Sequence, residues 1–388
     1  MNSKMKILVD ATGVARQKAG VGVYARNLID KLTDVNRDSE FVVVAQDDDP
    51  ELDFSGRPSV TMIRVPAKFF RKLPLRFLLE QFYLPCLLWW RGIEVVHSLH
   101  YAFPYVTFGT RRVVTIHDMT FFSMPEVHER IKVLYFRFFI RAAVRSAEAI
   151  IFISKSAQED CIARLGQPSG LYRVIPHGKD ESLNPRLDAP KIAPIRQKYG
   201  LPDRFVLYIG TLEPRKNLDR LLIAFSQIAA TDASIGLVIA GKMGWMMGSL
   251  SGIVERLGLN KRVVFTGFIL EEEKPALLSN CAVFVYPSLY EGFGLPVLEA
   301  LACGAPTVTS NVSSLPEVAG DAAILIEPLD TAALASAMGA LLCDRALQET
   351  LRSRGVERAK LFTWSKTADS TTDLYQSLQS LDQTRRPR

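Results

Sequence analysis

The chain has 388 residues, 48% of them hydrophobic and 23% charged, with 24 Gly and 21 Pro scattered along its length. That length calls for about two domains, and the composition excludes disordered, collagenous and low-complexity classes. A formal net charge of +6 and a pI near 9.0 favour phosphate-rich ligands or an acidic membrane surface as partners; nucleic acid is not among the expected ones.

In chain order, short apolar, β-branched runs alternate with longer helical patterns, as parallel sheets covered by helices on both faces require. The N-terminal segment reaches Asp10 without an apolar core or a cleavage site, so a cytoplasmic protein is expected. Strands are expected at 7–10, 41–45, 61–65, 95–98, 112–117, 149–153 and 172–175, then at 205–209, 235–240, 263–266, 282–286, 306–309 and 323–326. Between them lie two basic segments. One, 68–90, mixes Lys68, Arg71, Lys72 and Arg76 with Phe69, Phe77, Phe82, Trp89 and Trp90; the other carries Arg130, Lys132, Arg137, Arg141 and Arg145 on one helix. Each reads either as a solvated face or as an interfacial patch. The apolar run 73–90 is broken by Pro74, Arg76, Glu80, Gln81 and Pro85, so it does not span a bilayer. The Pro- and charge-rich stretch 179–194 marks a boundary, giving domains 1–185 and 186–364, with a last helix after Trp364. The five cysteines form no C-x-x-C pair and read as buried free thiols in a reducing compartment.

Three motifs carry chemistry. Gly20-Val21-Gly22-Val23-Tyr24-Ala25 fits G-x-G-x-x-(G/A), but nine residues separate it from Asp10, which argues against a nicotinamide-binding loop. A Gly-rich loop opening a helix at 24–32, able to approach a diphosphate or sugar, is the better reading. After the strand at 205–209, Gly210 leads to Arg215 and Lys216, adjacent cations beside a helix start that suit a phosphate leaving group. After the strand at 282–286, Glu291-Gly292-Phe293-Gly294-Leu295-Pro296-Val297-Leu298-Glu299 sets two carboxylates, with seven residues between them, around a tight turn and a helix start. Backbone N–H groups there can hold phosphate while Glu291 and Glu299 reach two sugars; paired carboxylates also suit the acid–base work of a glycosidase. His117 ends a strand where ligands bind, either as a hydrogen-bonding residue or as a buried structural one. His97 and His100 lack a third ligand at suitable spacing, and Asp47-Asp48-Asp49 reads as a solvated turn. P-loop, serine-hydrolase and zincin motifs are absent from the sequence.

The segments 210–217, 263–268 and 288–317 resemble those of glycosyltransferase family 4, retaining enzymes of the GT-B fold. Within that family, 291–294 together with 313–321 is similar to bacterial mannosyltransferases of polysaccharide assembly. The resemblance implies an α/β protein: two Rossmann-like, doubly wound parallel-sheet domains facing a cleft, the first binding acceptor and the second the nucleotide-sugar donor. The C-terminal helix, about 365–388, crosses back to the first domain. It further implies that Arg215 and Lys216 neutralise the donor diphosphate, Glu299 binds the ribose and Glu291 faces the transferred hexose. Gly292, Phe293 and Gly294 then hold that sugar, Leu295 lies near the phosphates, and His117 bonds a sugar hydroxyl. Gly20 and Gly22 close over the diphosphate from the first domain, and Gly241 and Lys242 form a nucleotide-side loop.

The implied reaction is retaining hexosyl transfer, most readily α-mannosyl transfer from GDP-mannose, with a UDP-sugar as the alternative donor. No prosthetic group and no metal are implied. The acceptor is a saccharide or a polyprenyl-diphosphate-linked saccharide in cell-surface polysaccharide biosynthesis. If 68–90 is interfacial, the protein works peripherally on the cytoplasmic face of an anionic membrane. A sugar-nucleotide epimerase and a non-catalytic nucleotide-sugar binding subunit remain as alternatives of other classes, although the retention of Glu291, Arg215 and Lys216 favours an enzyme.

Overall fold

The computed structural model describes residues 4–14, 20–185, 189–242 and 247–385. The chain forms two compact units, Met1–Gly178 with Trp364–Arg388, and Lys179–Thr363. The segment 179–185, assigned above to the first domain, is held in the second unit: Lys179 pairs with Thr363, and its N–H donates to the Phe362 carbonyl at 3.1 Å.

The first unit holds seven strands: β1 (Met5–Asp10), β2 (Ser39–Gln46), β3 (Val60–Val65), β4 (Val95–Ser98), β5 (Arg111–Ile116), β6 (Ala149–Phe152) and β7 (Leu171–Val174). They pair in parallel in the order β3-β2-β1-β4-β5-β6-β7, so the winding reverses between β1 and β4. The strands read as continuous apolar runs because both faces are covered. Ile7, Val9, Val43, Val95, Val113 and Ile151 pack beneath the helix Gly20–Val35 and the terminal helix Trp364–Arg385. On the opposite face Leu8, Val42 and Val96 meet Leu84, Leu87 and Leu88, while Val114, Ile150 and Phe152 meet the helix Arg130–Ser146. Each fully buried aliphatic side chain contributes roughly 1.5–3 kcal/mol. The terminal helix thus returns to the first unit, where Tyr375 Oη and His97 Nδ1 lie 2.6 Å apart and the Thr367 hydroxyl donates to the Pro176 carbonyl at 2.7 Å.

The second unit holds β8 (Arg204–Ile209), β9 (Ile235–Ala240), β10 (Val263–Gly267), β11 (Val283–Tyr286), β12 (Thr307–Ser310) and β13 (Ala323–Ile326), parallel in the order β10-β9-β8-β11-β12-β13. Here the winding reverses between β8 and β11. Helix Leu218–Thr231 follows β8, and helix Leu295–Ala302 follows β11.

Two expectations need correction. Gly20 and Gly22 lie in the first turn of the helix Gly20–Val35 rather than in a loop before a helix at 24–32. The helix starts earlier because Val21 and Val23 pack against the core, so burial outweighs the helix-breaking tendency of two glycines. Of the five free thiols, Cys86 in the helix Leu84–Arg91 and Cys343 at the end of the helix Thr331–Cys343 are exposed; only Cys161, Cys281 and Cys303 are buried. No helix among the described residues is long and apolar enough to cross a membrane.

Candidate active site

In an open parallel sheet, ligands bind beyond the carboxyl ends of the strands where the winding reverses. In the second unit that point lies between β8 and β11, and the second and third motifs leave the sheet there. After β8, Pro214 starts a single 3₁₀ turn that presents Arg215 and Lys216. Asn217 ends it in the left-handed region at φ 63°, held there by its side-chain amide, which donates to the carbonyls of Pro287 (3.1 Å) and Pro328 (2.6 Å). A non-glycine residue pinned in this conformation is strain retained for placement.

The cations close on Glu291. Lys216 Nζ donates to Glu291 Oε1 at 2.5 Å and to Tyr286 Oη at 2.6 Å, while Arg215 Nη1 donates to Glu291 Oε2 at 2.8 Å. Ser288 Oγ donates to Glu291 Oε1 at 2.5 Å, and Arg215 Nε reaches the more exposed Glu213 at 3.0 Å. Lys216 is 4% and Glu291 8% exposed. Burial alone pushes the Glu291 carboxyl up, but Arg215 and Lys216 outweigh it and hold the pKa down at about 2. Lys216 goes the other way: burial, then the neighbouring Arg215 charge, lower its pKa to about 8 despite Glu291. Glu291 is therefore ionised at neutral pH and poorly suited to proton transfer; it acts as a fixed charge.

The chain around Glu291 is equally constrained. Its N–H donates to Ser313 Oγ at 2.9 Å, and Ser314 Oγ lies 3.0 Å from the Glu291 carbonyl and 2.8 Å from that of Phe293. Phe293 is buried edge-on against Phe362. Gly294 turns the chain at φ 103°, where an added Cβ would meet Leu315 at 2.8 Å, and Leu295 with Pro296 begins the helix. Gly292 precedes it, partly buried. One turn into that helix, Glu299 pairs with Lys274 at 3.2 Å, and Lys274 also pairs with Glu271 at 2.8 Å. Burial raises the Glu299 pKa, and Lys274 only partly offsets it because Glu271 and Asp180 push the same way as burial. Gly210 and Gly241 bring the ends of β8 and β9 together; at Gly241, φ 148°, a Cβ would fall 1.9 Å from the Gly210 carbonyl oxygen. Lys242 follows, exposed. Among the described residues no cluster of three or more His, Cys, Asp or Glu side chains is positioned to hold a metal.

In the first unit, His117 is the first residue beyond β5 and is buried; its Nε2–H donates to the Leu99 carbonyl at 2.7 Å, leaving Nδ1 as the ring atom that can meet a ligand. Burial lowers its pKa, so the ring is neutral. Tyr24 joins the Gly20–Gly22 helix to this histidine, its ring edge-on at 5.1 Å. Asp10, at the end of β1, lies in the field of Arg76, which pairs with Glu80 at 3.2 Å. Burial raises the Glu80 pKa to about 7. His97 is structural, bridged between Tyr375 and Thr115.

Arg215, Lys216 and Glu291 thus form one cluster, Glu299 sits in a second, and in the first unit His117 packs against Tyr24 of the helix that begins with Gly20 and Gly22. The motifs did not reveal Ser288, Ser313, Ser314, Asn217 and Lys274 as site residues. Asn217, Ser288, Ser313 and Ser314 lie inside recognised segments, but Lys274 starts an unremarkable helix, Lys274–Asn280, and had no sequence signal.

Residues 191–358 match the family model described as glycosyl transferases group 1, and residues 19–183 match that of Glycosyltransferase Family 4. O-antigen chain mannosyltransferase B of Escherichia coli is 36% identical over 270 residues, covering 69% of this chain and 71% of that protein. The serotype-specific mannosyltransferase WbdA of Escherichia coli is 34% identical over 249 residues, 62% of this chain but 31% of that much longer protein. Sucrose-phosphate synthase from Thermosynechococcus elongatus has the same fold, with a TM-score of 0.77 at 24% identity, 97% of this chain and 100% of that one being covered.

Proposed function

We propose a reaction for a chain that belongs to glycosyltransferase family 4 and has the GT-B fold: transfer of α-mannose from GDP-mannose, with retained anomeric configuration, onto a saccharide acceptor. The observation that carries it is the Arg215–Glu291–Lys216 cluster at the winding reversal between β8 and β11. A buried lysine and a partly buried arginine, held by the turn that precedes the helix Leu295–Ala302, suit a nucleoside diphosphate, whose negative charge grows as it leaves. Mannose is preferred over a UDP-linked glucose because two relatives above 30% identity are mannosyltransferases.

In this reading Arg215 and Lys216 hold the diphosphate and Glu299 takes the ribose hydroxyls. Glu291 and the backbone of Gly292 to Gly294 hold the hexose, and His117 Nδ1 accepts from a sugar hydroxyl. Gly20 and Gly22 are assigned to the diphosphate, and Gly241 and Lys242 border the nucleotide. The bond from the anomeric carbon to the phosphate oxygen breaks as the acceptor oxygen attacks from the same face, and that phosphate oxygen receives the acceptor's proton. Glu291, held by two cations, is a poor nucleophile, which favours this front-face course over a covalent intermediate. The acceptor is a saccharide carried on a polyprenyl diphosphate at the cytoplasmic leaflet, in cell-surface polysaccharide assembly.

The test is thermal stabilisation by GDP, UDP, ADP, GDP-mannose and UDP-glucose side by side, since a ligand bound only by the folded state raises its melting temperature. A shift with the guanosine ligands alone supports the proposal. A uridine-only shift replaces GDP-mannose with a UDP-sugar, and no shift with any ligand contradicts a catalytic role.

A further inference from the structure

The two faces of the first unit's sheet are finished differently. The helices Gly20–Val35 and Trp364–Arg385 cover one face, and within their described side chains Val35 is the one exposed large hydrophobic residue. The opposite face is covered by residues 67–91 and the helix Arg130–Ser146, which meet where Phe77 packs against Tyr135 and Phe139. Their outer sides are apolar: Trp89 and Trp90 are each 74% exposed and Leu134 71%, with Phe82 and Phe138 also exposed. The loop before β5 is tied to this face by Gln81, whose Oε1 accepts from the Tyr105 N–H at 3.0 Å. That loop projects Phe108 into solvent at φ 48°, a conformation that costs an aromatic residue energy and so marks a functional constraint.

Ile131, Leu134, Phe138, Arg141 and Arg145 recur at i+3 and i+4 down the exposed line of one helix, apolar at its start and basic at its end. Lys132 pairs with Glu129, Arg71 with Asp48 and the largely buried Arg76 with Glu80, while Arg130, Arg141 and Arg145 of the helix Arg130–Ser146 and Lys68, Lys72 and Arg91 of residues 67–91 are exposed cations of this face. A protein partner or a second copy would have to be acidic and apolar at once over several short helices. Anionic headgroups above acyl chains match the pattern directly, with aromatic rings at the interface and cations toward phosphate.

The geometry points to this whole face as the surface by which the protein docks on an anionic bilayer: three chain segments, centred on Trp89–Trp90, Phe108 and Leu134–Phe138, rather than 68–90 alone. The inference rests on the lipid-linked-acceptor reading for its purpose but not for its test.

The test is co-sedimentation with vesicles of phosphatidylcholine alone or with about one-third phosphatidylglycerol, at low and high salt, for the full chain and two double variants, Trp89→Ala/Trp90→Ala and Leu134→Ala/Phe138→Ala. Binding to the anionic vesicles that weakens with salt, and falls roughly tenfold in each variant, is the expected result. Tryptophan emission should shift to the blue on binding, and the shift should disappear in the Trp89→Ala/Trp90→Ala variant. Absence of binding at low salt, undiminished binding in both variants, or a concentration-dependent dimer abolished by them overturns the proposal. Transfer to a soluble saccharide acceptor is measured in parallel. Its persistence without vesicle binding disproves docking alone, and vesicle binding without transfer disproves the reaction alone.

Discussion

The two carboxylates of the Glu291–Glu299 motif are built as inverses of each other. Glu291 is one buried carboxylate between two cations, Arg215 and Lys216; Lys274 is one partly buried cation between two carboxylates, Glu271 and Glu299. Burial acts alike on both acids, but two cations override it at Glu291 and the single shared one does not at Glu299, so one pKa falls and the other rises. The comparison shows how one motif yields two environments. The first is a rigid positive clamp suited to phosphate charge, and the second is a carboxylate with spare accepting capacity suited to hydroxyl groups.

The largest expected effect comes from breaking the clamp. Glu291→Ala leaves the buried Lys216 without its carboxylate and the partly exposed Arg215 with Glu213 alone, which should cost about 3 kcal/mol in urea unfolding as well as abolish transfer. That cost argues against alanine as a clean probe. Glu291→Gln keeps the shape and some hydrogen bonds, so its stability loss should be much smaller while transfer falls roughly 10²–10³-fold.

Lys216 sharpens the comparison through pH. Its folded pKa, about 8, lies below the ordinary 10.5, so between those values the unfolded chain holds a proton that the folded one has released, and stability contributed by this group rises with pH. Transfer should move oppositely, falling above about pH 8 as the diphosphate loses a cation. Lys216→Arg should carry that alkaline limb upward, because a guanidinium does not deprotonate there; an unchanged limb in the pH–rate profile would remove Lys216 from the assignment. On the acid side, the stability from Glu291 is present above its ordinary 4.5 and is lost as pH falls toward about 2.

Glu299 gives the smallest effect. Because its folded pKa is raised, its ionisation weighs against folding at neutral pH and that penalty is relieved as pH falls through the folded pKa. Glu299→Gln should therefore change stability by no more than about 1 kcal/mol while raising the donor KM roughly tenfold with kcat little altered, as lost ribose binding requires. Lys274→Met, which leaves Glu299 buried without its cation, should destabilise more than Glu299→Gln does; equal unfolding midpoints would show that the pair is not coupled.

Inner strands were legible in the sequence because burial on both faces makes each a compact apolar run; those at 95–98 and 235–240 coincide with the fully buried β4 and β9. The clamp was legible in part, since Arg215, Lys216 and Glu291 stand in dense motifs. Its supports were not, because Ser313 and Ser314 arrive from the loop after β12 and Lys274 from the helix before β11, through contacts that no local spacing encodes. The Gly20–Gly22 segment misled because glycine signals a loop, whereas packing of its valines extends the helix. In the helix Arg130–Ser146 the arginines are plain in the sequence, whereas the exposure of Leu134 and Phe138, on which the docking proposal rests, is visible only in the folded chain.

The most direct test of the clamp is single-turnover mannosyl transfer from GDP-mannose by Glu291→Gln, compared with the unaltered protein at matched folded fraction and saturating donor. A fall of roughly a hundredfold or more in the chemical step, with GDP still raising the melting temperature, is the result expected if Glu291 faces the transferred sugar. Unaltered turnover by the folded variant would contradict that role for Glu291, and with it the reading of the cluster as the place where the sugar leaves its diphosphate.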